Sequence, residues 1–240
     1  MNNLSVIIPA HNSETTIARA INSIDIECEI IVIADHCKDN TVSIVKSLHK
    51  KNLLLVEVAF QDPGLSREIG VKKSSCSYIS FLDADDEFLP GKLNKQIKFM
   101  INNNINWSST KYKVIFENSK YSYFVKPRKL ITYKGLLRNC DIGNSTVIIL
   151  KDLLPKEFPK RPKEDWRLWL EIASMGNICH GLEICGTYYY RSQEQDSSSY
   201  LNNYVEKINV FRSLGYSRFK ITWFLIIDLV YQIKRRMSFR

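Results

Sequence analysis

Short apolar runs alternate with amphipathic stretches over the first hundred residues. Leu4-Ser5-Val6-Ile7-Ile8, Glu29 to Ile33, Leu53 to Val58 and Tyr78-Ile79-Ser80-Phe81-Leu82 each predict a buried strand. Pro9 is expected to stop the first. A helix is predicted from Ser13, a capping residue with Glu14 in the first turn, through Ile24. Asn40 to His49 reads as the next helix, and a Gly64 turn leads into another ending about Lys73. Strands alternating with helices imply a parallel sheet covered on both faces. Ligands of such sheets bind beyond the carboxyl ends of the strands. Pro9-Ala10-His11-Asn12, Asp35 and Asp83-Ala84-Asp85 all follow strands, so they are expected to meet at one site.

The pattern then loosens. Pro90 to Met100 predicts a helix with proline in its first turn. Asn102 to Asn106 is a polar connection between halves. Trp107 to Val125 alternates and breaks at Asn118-Ser119, which predicts a strand pair or hairpin. Thr132 to Asn139 reads as a short helix, and Gly143 to Leu150 as a loop and strand. Trp166, Trp169, Leu170 and Ala173 recur at i, i+3, i+4 and i+7 of an amphipathic helix. Tyr188-Tyr189-Tyr190 reads as strand.

Ile221 to Ile233 is nearly all apolar but too short to span a bilayer. On a helical wheel Arg218, Thr222, Asp228, Gln232, Arg235 and Arg236 share one side. Trp223, Phe224, Ile226, Ile227 and Val230 occupy much of the rest. Such a helix can lie in a membrane interface, or dock on the catalytic domain or a second subunit.

Charge sharpens that choice. Of the net charge of +9, a surplus of +6 falls in residues 201–240, where eight Lys and Arg face only Glu206 and Asp228. A basic tail suits an acidic partner such as a phospholipid surface, a phosphorylated substrate or nucleic acid. The six cysteines form no CxxC pair, so reduced thiols are expected rather than a disulfide framework or a zinc knuckle. No secretory signal is read at the start, and a cytoplasmic location is expected.

Two acidic groups carry candidate chemistry. Asp83, Asp85 and Asp86 end the Tyr78 strand with Glu87 behind them. Carboxylates this close repel unless a cation joins them. A hard divalent ion, Mg²⁺ or Mn²⁺, shared with substrate phosphates fits, and a solvated acidic turn is the plain alternative. Glu164 and Asp165 open the Trp166 helix, where the dipole favours ionised carboxylates. A carboxylate held there can be a general base or simply a cap. His36 beside Cys37 lacks the spaced partners of a zinc site.

These residues resemble family-two glycosyltransferases of the GT-A fold. Asp83-Ala84-Asp85-Asp86 matches that family's Asp-x-Asp motif. Ser5 to Asn12 is similar to its opening strand and loop, with His11 at the aromatic position. Ile30 to Thr41 is similar to its second-strand motif, with Ala34 for the first Asp and His36-Cys37 for Gly-Ser. Gly64 to Gly70 is similar to its Gly-x-x-x-Ala-Arg-Asn-x-Gly segment, with Glu68 for Asn. Glu164-Asp165-Trp166-x-Leu168-Trp169 is close to its Glu-Asp-Trp-x-Leu-Trp motif. Tyr190-Arg191 and Ser197-Ser198-Ser199 resemble its serine-rich closing loop, where Gln193 or Gln195 would stand in for the usual His.

The resemblance implies an α/β, GT-A type fold with a mostly parallel nucleotide-binding sheet flanked by helices, a mixed acceptor-side half and C-terminal helices. Residues 1–105 would form the nucleotide-sugar half, 106–215 the acceptor half, and 216–240 a basic amphipathic helix. Asp85 and Asp83, with Asp86 beside them, would hold Mn²⁺ or Mg²⁺. Pro9, Ala10, His11, Asn12, Asp35, Arg67, Ala84 and Arg191 would bind the nucleotide sugar, with Asp35 on the base and a UDP-sugar as the foremost donor. Asp165 would be the catalytic base, and Glu164 and Trp166 would place a saccharide or lipid-linked acceptor. The expected reaction is inverting transfer of one sugar in bacterial polysaccharide or lipopolysaccharide synthesis, at a membrane surface and without nucleic acid. A nucleotidyltransferase on a similar sheet and an inactive membrane-bound scaffold are the rival readings.

Overall fold

The computed structural model describes residues 3–116, 121–191 and 199–237. Its centre is one mixed sheet. Strands β1 (Leu4–Ala10), β2 (Glu29–Asp35), β3 (Leu53–Val58) and β4 (Tyr78–Phe81) lie in the order β3-β2-β1-β4, all parallel. The sheet continues through β9 (Val147–Leu150), β6 (Trp107–Phe116), β10 (Cys179–Arg191) and the two-residue β5 (Glu87–Phe88). β9 is antiparallel to both β4 and β6. Direct pairing of β4 with β9 carries the sheet without a break across the two predicted halves. β7 (Ser122–Val125) closes a hairpin on β6, and β8 (Leu130–Ile131) pairs with β10.

Alternation in the strands supplies two cores, one on each face. Val6 and Ile8 face α1 (Ile17–Asn22), α2 (Thr41–Ser47) and α4 (Lys92–Asn102) in one. Ile7, Phe81 and Trp107 face α3 (Pro63–Lys73), α5 (Tyr133–Arg138) and α6 (Glu164–Ser174) in the other. Trp169 of α6 sits 5.6 Å from the Trp107 ring and 6.2 Å from that of Phe81. α3 comes close to β1 at Gly70, where any Cβ would run into Ile7.

Several predicted boundaries move. Pro9 does not stop β1, which reaches Ala10. Ile7 accepts from the Leu82 N–H, so Pro9, two residues on, turns its missing N–H to the side β4 has already left. The first helix is short: Ser13 holds a turn through its carbonyl, its hydroxyl donates to the His11 carbonyl, and α1 starts only at Ile17. α4 begins at Lys92 after a left-handed Gly91, placing Pro90 outside its first turn. Gly64 lies inside α3, which is capped by Asp62 with Pro63 next. Asn118-Ser119 lies outside the described residues, as do Gln193, Gln195, Ser197 and Ser198.

Helices α7 (Ser199–Ser213) and α8 (Arg218–Met237) finish the chain. α8 docks through Ile221, Phe224, Leu225 and Asp228, at i, i+3, i+4 and i+7. The helical wheel set Asp228 on one side with Arg218 and Thr222, but unlike those two exposed residues it faces the protein. It is buried and accepts from Lys207 of α7 at 2.7 Å.

Candidate active site

The carboxyl ends of β1, β2 and β4 open on a cavity of about 790 Å³. Pro9, Ala10, His11, Asn12, Asp35, Arg67, Asp83, Ala84 and Asp85 all line it, together with Gln61, Asp62, Ser66, Arg161 and Tyr190. The backbone around it is locally constrained. Asn12, His36 and Gln61 take positive φ, and their turns are held by hydrogen bonds. Asn12 Oδ1 accepts from the Lys38 N–H at 2.8 Å, and the His11 ring meets the Asp35 carbonyl at 2.6 Å.

Asp35 is buried at the floor. It accepts from Gln61 N–H at 2.8 Å, Asp62 N–H at 3.0 Å and the Ser66 hydroxyl at 2.9 Å. Burial pushes its pKa up, but these donors outweigh burial and hold it below the usual value. Asp35 thus ties the end of β2 to the loop before α3.

The acidic turn after β4 divides by direction. Asp85 is exposed at the cavity wall, and its carbonyl accepts from Arg19 at 2.7 Å. Arg19 also stacks on the Tyr190 ring at 3.9 Å. Asp83 accepts from Arg67 Nη2 at 2.7 Å, and its N–H donates to Ser145 at 3.0 Å. Asp86 turns inward: it accepts from the Ser145 hydroxyl and from Tyr190 N–H, and is 1 % exposed. Burial first, then Asp83 and Asp85, push its carboxyl well above the ordinary range. The expectation that Asp86 assists a metal is replaced by an anchoring role.

Arg67 is the hinge of the site. From α3 it reaches Asp83 with one terminal nitrogen and Glu164 of α6 with the other, at 3.3 Å. Burial disfavours its charge, but Asp83 and Glu164 outweigh burial and keep it protonated. The structure places Glu164 on Arg67 and not on the wall of a second cavity, of about 250 Å³, that Asp83 also lines. Asp165, Trp166 and Arg191 line that second cavity, with Arg138, Lys163, Lys207, Phe211 and Phe224 further along it. Asp165 accepts from the N–H of Trp166 at 2.7 Å. Burial and then Glu164 raise its pKa against that bond. The Trp166 indole donates to the Leu136 carbonyl at 3.0 Å, fixing α6 against α5.

Oxygen donors from Asp83 and Asp85 suit a hard divalent ion. Arg67 already occupies Asp83 Oδ1, and no cluster of three His, Cys, Asp or Glu side chains able to hold an ion occurs among the described residues. Donors from a bound phosphate would complete the coordination sphere. Sequence reasoning missed Ser66, Gln61, Arg19 and Ser145. Asp62-Pro63 was a legible signal for the start of α3, and so for Ser66 in its first turns.

Residues 5–150 match the family model for glycosyl transferase family 2. The chain is 34% identical over 218 residues to the Escherichia coli protein WfgD, described as a UDP-Glc:alpha-D-GlcNAc-diphosphoundecaprenol beta-1,3-glucosyltransferase, covering 88% of this chain and 85% of that one. It is 24% identical over 98% of its length to the putative teichuronic acid biosynthesis glycosyltransferase TuaG of Bacillus subtilis, covering 97% of TuaG. Among solved structures, S. aureus TarS 1–349 in complex with UDP-GlcNAc superposes with a TM-score of 0.67 at 23% identity, over 82% of this chain and 61% of that one. The fold is thus the GT-A type that the sequence implied.

Proposed function

The chain belongs to glycosyl transferase family 2, and from that premise we propose that it moves one sugar from a UDP-linked donor to a lipid-linked saccharide, with inversion, in bacterial surface-polysaccharide assembly. The observation that carries this reading is that two cavities share Asp83 as a common wall. The larger would take the nucleotide diphosphate sugar, and the smaller, holding Asp165, the acceptor. Family membership sets the nucleotidyltransferase reading aside.

In this reading Asp35 and its loop form the base-side floor. Asp83 and Asp85 would hold Mg²⁺ or Mn²⁺, which supplies positive charge for the leaving diphosphate. Asp165 takes the proton of the acceptor hydroxyl as that oxygen bonds to the anomeric carbon. The bond from that carbon to the diphosphate oxygen breaks, and its electron pair leaves with the nucleoside diphosphate. Attack opposite the leaving group inverts the centre. Burial of Asp165 strengthens it as a base, because a higher pKa gives a greater drive to accept the proton. The lipid-linked acceptor follows the description of WfgD, and in this reading the work would be done at the cytoplasmic face of the membrane. No helix among the described residues is long and apolar enough to cross it.

The test is slow hydrolysis of UDP-sugars, with and without Mn²⁺, alongside thermal protection by UDP. Metal-dependent release of UDP supports the transferase. Absence of both hydrolysis and protection, across UDP and GDP sugars, would leave the inactive scaffold.

A further inference from the structure

α8 carries two apolar faces. The inner one docks on the protein, as described above. The outer one presents Phe219, Trp223, Ile226 and Val230, spaced four, three and four residues apart, with Leu229 alongside. Phe219 is 91 % exposed and Trp223 62 %, and the other three are close to half exposed. Spacing of this kind sets them in one stripe along the helix. The helix's one acidic residue, Asp228, is turned inward onto Lys207, so the stripe carries no carboxylate of α8.

Charge selects the occupant. Arg218 and Lys220 begin the helix and are exposed. Lys234, Arg235 and Arg236 fall in its last turns. An apolar stripe bracketed by cations at both ends matches the boundary between anionic headgroups and acyl chains. A second copy of this chain would bring the same cations, without carboxylates on α8 to meet them. The inner face adds a geometric reason. Phe224, Leu225 and Asp228 wall the cavity that also holds Asp165. The helix therefore has its apolar stripe on one side and the acceptor cavity on the other.

We infer that the outer stripe of α8 seats in the interface of an anionic membrane and so sets the acceptor cavity against the lipid surface. This rests on the lipid-linked acceptor for its purpose, but not for its physics. Long cationic side chains reach headgroups while Trp223 and its neighbours enter the acyl boundary.

Trp223 supplies its own probe. The other three of the four tryptophans, Trp107, Trp166 and Trp169, are buried. Phosphatidylglycerol–phosphatidylcholine vesicles should shift the emission of the full chain to the blue and carry it upward in flotation. Pure phosphatidylcholine should do so weakly, and raised salt should weaken binding. Trp223→Phe should lose the emission shift and still float. A Phe219→Glu/Ile226→Glu variant should lose binding about tenfold or more, with an unchanged unfolding midpoint because both sites are exposed. A wild-type chain that ignores anionic vesicles overturns the inference. So does a double variant that floats normally, or one whose effect is to disperse a dimer seen without lipid. UDP-sugar hydrolysis and UDP protection are measured separately without vesicles, so loss of both would sink the transferase reading and leave this one standing.

Discussion

Arg67 and Asp83 are joined at 2.7 Å on the wall of the larger cavity, and the same guanidinium reaches on to Glu164. The arginine side chain is only 7% exposed. Removing it leaves two carboxylates facing each other without their cation. Arg67→Met should therefore destabilise the fold by about 3–5 kcal/mol. Arg67→Lys should recover part of that stability but little activity, since one ammonium cannot serve both carboxylates with the planar geometry of a guanidinium. Urea unfolding and UDP release, measured on both variants, check this. Equal stability of wild type and Arg67→Met would show that the pair is incidental.

Neighbouring carboxylates should answer differently to the same change. Asp85→Ala is expected to abolish UDP release and leave the unfolding midpoint in place, because Asp85 is exposed. Asp86→Ala strands the Ser145 hydroxyl and the Tyr190 N–H in the interior. Its cost should be about 1–3 kcal/mol of stability, with activity falling only as far as the turn is displaced. Circular dichroism melts of the pair decide it. A folded, active Asp85→Ala would remove the metal-holding role.

The four parallel strands and the meeting of Asp35 with Asp83 were legible because they follow from local apolar runs and the rule that sites form at strand ends; Arg67, inside α3, was expected there only through the family resemblance. Asp86 was not, since its direction depends on Ser145, far along the chain. The place of β9 between β4 and β6 is a long-range pairing that Val147-Ile148-Ile149-Leu150 alone does not encode. The orientation of α8 was also hidden. Its apolar arc is wide enough to offer more than one buried face, and the ion pair of Asp228 with Lys207 of α7 marks the one used. Arg191 fell in the second cavity, not the larger one, because successive side chains of β10 point to opposite faces and Tyr190 takes the larger.

Asp165→Asn should lower the transfer rate by about 10²–10⁴-fold while UDP affinity holds, since the residue lines the smaller cavity and not the larger one proposed for the nucleotide. Its raised pKa gives two further signs. The base acts when ionised, so wild-type activity should fall as pH drops through that raised value, and the variant should lose this limb. A folded pKa above the unfolded one favours folding at low pH and opposes it once the carboxyl is ionised. At neutral pH Asp165→Asn should therefore melt no lower than wild type. A variant with a lower melting point and collapsed UDP binding would make Asp165 a structural cap.

Asp35 shifts in the opposite direction, and that gives the last prediction. Its carboxylate accepts three hydrogen bonds in a buried place, and its pKa lies below the usual value. Asn in its place has one acceptor oxygen and must turn an NH₂ toward an N–H donor. Asp35→Asn should cost about 1.5–3 kcal/mol at pH 7. It should also weaken UDP binding, because Gln61 and Asp62 of the released loop line the larger cavity, the one proposed for the donor. A depressed pKa contributes stability above the ordinary carboxylate value and loses it as pH falls through the folded value. The gap between wild type and variant should thus narrow toward pH 3. Denaturant titrations at pH 7 and pH 3, with calorimetric UDP binding at pH 7, test both parts. A gap that stays the same at the two pH values would mean that packing, and not the charge on Asp35, holds the loop.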